Sequence, residues 1–204
     1  MAPVTFGADC ESPEQRAHSR RSAKRFSTPS RRLRPRGTDF RVLCRAARTA
    51  RTAGAGGILI VATLFTLVPG RGGVPIISPH LKALRPFITT GDFAPGSWGQ
   101  QLVEPLAPAH ISIEKIAYSA FYMSRLEWTL RKCGIEELFF TGLVTNGGVA
   151  STVRDAHVRE FHCTIIEGGC AAFSDQLHRA ALEGLRPVAT TSRIAEVMNA
   201  VFHV

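Results

Sequence analysis

From residue 58 onward, apolar runs and amphipathic stretches take turns along the chain. "GILIVATLF" (57–65) is continuous and rich in β-branched residues, the pattern of a strand buried on both faces. "HISIEK" (110–115) is a shorter strand. "YMSRLEWTLRKCG" (122–134) is an amphipathic helix with Met123, Leu126 and Leu130 on one face and Gly134 as its C-cap. "EELFFTGLV" (136–144) predicts a second buried strand, "GVASTVRDAHVREF" (148–161) a helix, and "HCTIIE" (162–167) a third buried strand. "SDQLHRAALEGL" (174–185) is a helix with Ser174 at its N-cap; "PVATT" and "SRIAEVMNAVF" close the chain as strand and helix. Upstream, Phe40, Leu43, Ala47 and Ala50 recur at helical spacing, with Gly54 as a stop. Residues 66–110, dense in Pro and Gly, read as a long excursion with one short helix around Trp98–Leu106.

Strands alternating with helices of this length predict βαβ units and a parallel sheet. In open sheets of that type, ligands bind beyond the carboxyl ends of the strands. Three segments deliver residues there: Lys115 after "HISIE", "GLVTNGG" after "EELFF", and "EGGCAAF" after "HCTII".

Charge changes the picture at one end only. The formal net charge is +9, yet residues 54–204 carry 12 Lys and Arg against 12 Asp and Glu. The excess sits in the first quarter, and residues 11–37 are Arg, Ser and Pro with almost no apolar positions. Such a stretch buries too little surface to offset its chain entropy. The expected organisation is therefore a basic, disordered segment over 1–38 and one α/β domain over 39–204. The tail is poor in aromatic residues, with Phe26 alone among its basic positions, which argues against nucleic-acid binding. Five cysteines form no CxxC pair, and the start has neither a basic n-region nor a long apolar stretch, so a reducing, cytoplasmic setting is expected. The longest apolar run, "ILIVATLFTLV", is too short to span a bilayer. The histidines show neither HxH nor HExxH spacing, so no metal is expected.

The order "IEKIAYSAF", "SRLEWTLRKCGIEELFFTGLVTNGG", "VASTVRDAHVREF" and "EGGCAAFSDQLHRAALEGL" resembles the isochorismatase-like superfamily of cysteine hydrolases over roughly residues 42–201. That family includes nicotinamidases, N-carbamoylsarcosine amidase and isochorismatases. The resemblance implies a Rossmann-like three-layer sandwich with a mostly parallel sheet, a small-molecule substrate, no cofactor, and self-association. It also implies a site. A Cys at a helix N-terminus attacks an amide carbonyl, an Asp from the first strand shuttles the proton, and a Lys supports the charge. Carried over, the Lys is Lys115, and the oxyanion donors are the backbone N–H groups of Val144 and Gly148. The family's cis non-proline peptide maps to Leu143–Val144. Thr145 and Asn146 belong to the same turn; Ser119 and Phe121 resemble residues lining the pocket entrance.

Two departures follow. The nucleophile position holds Gly148, which shifts the expected chemistry away from a covalent thioester. Some isochorismatases lack the cysteine and use the first-strand Asp as a general acid on a vinyl ether. Ser151 and Thr152, one turn into the helix, point away from the site, and Cys170 reads as a small buried filler. The second departure is the first strand. Where it should stand the chain has "AHSRRSAKRF", which cannot be a central strand. Either "PVTFGADC" (3–10), ending near Asp9, fills the gap through a longer linker, or the sheet repacks, or another chain supplies the strand, or residues 1–40 are a frame-shift or start-site artefact. Asp39 is too close to the following helix to serve. The two functional expectations are a hydrolase of a small amide or vinyl-ether substrate without a Cys nucleophile, and an inactive member that binds a small molecule or stabilises an assembly.

Overall fold

A computed structural model describes residues 4–6, 58–102, 106–193, 195–197 and 199. The helix expected around Phe40–Ala50, Asp9 and Asp39 lie outside the described residues. Six strands are described: β1 (Val4–Phe6), β2 (Leu59–Phe65), β3 (Ile111–Lys115), β4 (Glu137–Leu143), β5 (His162–Ala171) and β6 (Thr190–Ser192). They form one sheet in the order β3-β2-β1-β4-β5-β6, and every pairing is parallel. Four α-helices have described bounds, α1 (Pro79–Leu84), α2 (Leu126–Lys132), α3 (Ala150–Val158) and α4 (Asp175–Glu183), and residues 195–197 and 199 are helical as well.

The first strand is present, and it comes from within the segment expected to be a tail. Val4 and Thr5 pair with Leu59 and Ile60 of β2, while Val4, Thr5 and Phe6 pair with Leu138, Phe139 and Phe140 of β4. Residues 4–6 thus do not belong to a detached arm. A gap there would strand a row of backbone donors and acceptors inside the sheet, and three residues of extended chain remove that cost.

Leu138 and Phe140 on β4, Val61 on β2, Ile113 on β3 and Ile165 on β5 meet Leu126 and Leu130 of α2 and Val153 of α3 in one buried cluster. Phe139, which alternation sends to the other face, is buried as well. A strand buried on both sides reads as an unbroken apolar run, and "LFF" is one. Arg159, after α3, bonds Glu127 of α2 at 2.8 Å and so ties the two helices together.

Several elements differ from the sequence reading. The excursion after β2 forms its helix at Pro79–Leu84, where Ser78 accepts a hydrogen bond from the Leu81 N–H at 3.1 Å and Pro79 opens the first turn. Residues 98–102 are turns and bends instead. They are held because Gln100, itself buried, donates to Thr66 Oγ1 and Glu114 Oε1 and accepts from the Gly96 N–H. Helix α2 starts at Leu126, so Met123 is not on its core face: it has φ 49° and is 78% exposed. β5 runs on to Ala171, with a register shift opposite Phe140–Gly142 that absorbs "EGG", so Cys170 lies in a strand and not in a loop.

Candidate active site

With the order 3-2-1-4, the chain reverses direction of sheet growth between β1 and β4. In open α/β sheets that switch point, beyond the carboxyl ends of the strands, is where ligands bind. Lys115 is the last residue of β3, and its carbonyl accepts the Thr66 N–H at 2.8 Å, fixing the lysine backbone to the end of β2. Its ammonium donates to the Tyr118 carbonyl at 3.0 Å. Its neighbour at this end of the sheet is the turn after β4. The Leu143–Val144 peptide is cis, as the resemblance implied. Residues Thr145–Val149 then form a wide, π-type turn that leads into α3. The Val144 carbonyl accepts from the N–H groups of Gly147 (2.9 Å) and Val149 (3.3 Å).

Gly148 is the decisive position. Its backbone lies outside the left-handed region, so nothing in the dihedrals demands glycine. A Cβ placed there would stand 3.1 Å from Lys115 Nζ, 3.6 Å from the Tyr118 carbonyl oxygen and 3.7 Å from the Leu143 carbonyl oxygen. A side chain at residue 148 would therefore point at the lysine ammonium. The turn also brings the positive end of α3 close to this point, a setting that favours an anion or a developing oxyanion.

The surrounding loop is locked to the turn. Thr152, buried in α3, donates to the Gly148 carbonyl at 2.7 Å and accepts the Ala120 N–H at 3.0 Å. Its hydroxyl is thus engaged on both sides and is no nucleophile. Ser119 accepts the Phe121 N–H at 3.1 Å, and Phe121 is a core residue 5% exposed, packed beside Phe161. These two shape the loop from beneath; the residue of that loop at the turn is Tyr118. Its ring lies 3.7 Å from the Cβ position of Gly147, with the Arg85 guanidinium 4.6 Å above it. Asn146 is exposed at the turn's tip, while Thr145 is fully buried. Thr145 Oγ1 sits 2.8 Å from Nδ1 of His178 on α4. Sequence reasoning did not single out His178. The signal available was a histidine one turn inside a helix whose N-cap, Ser174, was legible.

The alternative thiols are not set up to react. Burial pushes Cys170 up to about 12, only partly countered by a hydrogen bond from the Gly142 backbone, and burial pushes Cys163 up to about 11. Both stay protonated at neutral pH. Cys133 is exposed after α2, at the amino ends of the strands. Phe65 packs edge-on against Phe93, whereas Trp98 and Phe173 are exposed. His157 on α3 and His162 at the start of β5 are exposed. Among the described residues, no cluster of three or more His, Cys, Asp or Glu is arranged to hold a metal, and no helix is long and apolar enough to cross a membrane.

A lysine at one strand end, a cis peptide at another and a small-residue turn entering a helix stand at the same end of the sheet, as the resemblance implied. The isochorismatase domain profile matches residues 32–199, and the chain belongs to that family. It is 41% identical over 113 residues to a ureidoacrylate amidohydrolase RutB of Methylobacterium radiotolerans, covering 53% of this chain and 44% of that one. It is 39% identical over 110 residues to the RutB of Caulobacter vibrioides, covering 52% and 49%. The matching stretch thus spans less than half the length of these relatives. In fold it resembles a cysteine hydrolase from Pseudomonas syringae pv. phaseolicola 1448A, with a TM-score of 0.77 and 19% identity over 99% of this chain and 92% of the other.

Proposed function

We propose that the chain hydrolyses a small amide or vinyl-ether substrate without a thiol nucleophile. The observation that carries this reading is the 3.1 Å between Lys115 Nζ and the point where a side chain on Gly148 would begin. The lysine, the turn and the loop stand around that position, which supports a site whose residue 148 carries no nucleophile side chain. In the amide case, water attacks. A carboxylate takes one proton from the water as its oxygen bonds to the carbonyl carbon. The carbonyl oxygen becomes an oxyanion facing the Val144 and Gly148 N–H groups, and the nitrogen leaves with the transferred proton as the C–N bond breaks. Lys115 supplies positive charge beside the developing anion. The carboxylate in this reading is Asp9, three residues beyond the end of β1 in sequence. On a vinyl ether the same carboxylate, protonated, would act as the acid. The names of the relatives make ureidoacrylate the first substrate to try. No cofactor is needed for either reaction, and the free cysteines fit a reducing, cytoplasmic compartment.

Gly148 itself favours a second reading, an inactive member that binds a small molecule or stabilises an assembly of its own copies. One experiment separates the two. The full chain, Lys115→Met and Gly148→Cys are assayed on ureidoacrylate, simple N-carbamoyl amides and a vinyl ether. Turnover by the unaltered chain that falls at least about a hundredfold in Lys115→Met supports the hydrolase. Turnover seen only in Gly148→Cys identifies an inactive member with an intact surround. Silence from all three, with calorimetric binding that Lys115→Met abolishes, leaves the binding protein.

A further inference from the structure

We propose that His178 is a positioning residue for the oxyanion turn: its ring, tied to the Thr145 hydroxyl, fixes the backbone that carries the Val144 and Gly148 N–H groups. The catalytic consequence rests on the hydrolase reading above; the positioning does not. Thr145 follows the cis peptide directly, opens the turn and is 0% exposed. A hydroxyl in that place needs a partner. Among the described residues, Ser97 Oγ is the one buried side-chain polar atom lacking a hydrogen bond, and Thr145 escapes that state through His178.

Thr145 is anchored on two sides. Its carbonyl accepts from the N–H of Ala150, the first residue of α3, and its hydroxyl meets α4. Between these anchors the turn reads "TNGGV", with glycine at two of its five positions. Glycine gives a backbone many alternatives, so the direction of the Gly148 N–H depends on what holds the ends. The helix that presents His178 is itself well started. Ser174 Oγ accepts the Leu177 N–H at 3.2 Å, and the Ser174 carbonyl accepts the His178 N–H at 3.0 Å. The two partners are 33 positions apart in sequence, so packing of α4 on the turn, and no local rule, makes the contact.

The tie runs through Nδ1, and this makes it chemically specific. An Asn side chain places its amide atoms near where Nδ1 stands, whereas Gln places them nearer Nε2. The test uses the full 15N-labelled chain and follows amide hydrogen exchange at Gly147 and Gly148, with Phe140 and Ile165 as reporters of global stability. His178→Ala and Thr145→Val should each speed exchange at the two glycines about tenfold beyond any change at the reporters. The double variant should be no worse than either single one, since both remove the same bond. His178→Asn should restore protection and His178→Gln should not. On any substrate the chain turns over, His178→Ala should lower kcat about tenfold with KM within about twofold. Unchanged glycine exchange, additive single effects, or equal behaviour of Asn and Gln would each overturn the proposal. Normal glycine protection in an unaltered chain that turns nothing over would sink the hydrolase reading alone, and the exchange data would still decide the role of His178.

Discussion

β4 and β1 lie side by side at the point where the sheet changes its direction of growth, yet they are built in different ways. β4 is seven residues long, buried through Leu138, Phe139 and Phe140, and continuous in sequence with the turn and with α3. β1 is three residues long, and residues 7–58 separate it from β2. In the proposed site, the half that would supply backbone N–H groups is therefore carried by one short stretch of chain and a dense core. The half that would supply the proposed carboxylate hangs on the pairing of three residues with β2 and β4. Losing a nucleophile costs the first half nothing in packing. A shift in pairing would remove the second half altogether.

The comparison is broken most severely from the β4 side. Phe140→Ala removes a ring 1% exposed and should cost about 3–5 kcal/mol, read as a lower urea midpoint. On β1 the test is of the backbone. Thr5→Pro deletes a donor between two paired strands and should cost about 1–3 kcal/mol, whereas Thr5→Val keeps the N–H and should stay within about 0.5 kcal/mol. Equal stability of the two variants would mean that residues 4–6 do not occupy the centre of the sheet.

The same contrast explains what the sequence made legible. "LIVATLF", "ISIEK" and "ELFFTGL" carry enough consecutive apolar or alternating positions to declare themselves, and each formed a strand close to where it was read. Lys115 and the turn meet because parallel strands deliver their carboxyl ends to one edge. "VTF" has too few residues to show any period; its place follows from the vacancy between β2 and β4, a property of the whole sheet. α1 was missed because a Ser-Pro start was outweighed by surrounding glycines and prolines. β5 was cut short because "EGG" reads as a turn, while the register shift opposite Gly142 lets it stay in the strand. His178 was invisible for a different reason: its partner is chosen by tertiary packing.

The buried thiols sharpen the comparison through pH. Folded values near 11 and 12, against an ordinary 9, mean that the native state keeps protons the unfolded chain releases. Their contribution is whole below pH 9 and is lost as pH rises from there through 11 and 12, by up to about 1.4 kcal/mol per unit for each group. Urea midpoints at pH 8 and pH 10 should fall accordingly, and Cys170→Ala should flatten the slope. A thiol at Gly148→Cys should behave in the opposite sense. Beside Lys115 and a helix N-terminus it should alkylate with iodoacetamide at pH 7 well before Cys163 or Cys170. Its Cβ must displace only the end of a flexible lysine by a few tenths of an ångström, so the fold should tolerate it.

The smallest effect probes the support of the turn from outside. Ser174→Ala removes the side-chain cap of α4 and should cost about 1 kcal/mol. Because α4 presents His178 from its first turns, fraying of the helix should reach Thr145. Exchange at Gly147 and Gly148 should rise slightly, by less than in His178→Ala, while Phe140 reports only the small global loss. A cap variant that left the glycines as protected as Phe140 would mean that packing alone seats α4. The short N-terminal turn of that helix would then matter to stability but not to the site.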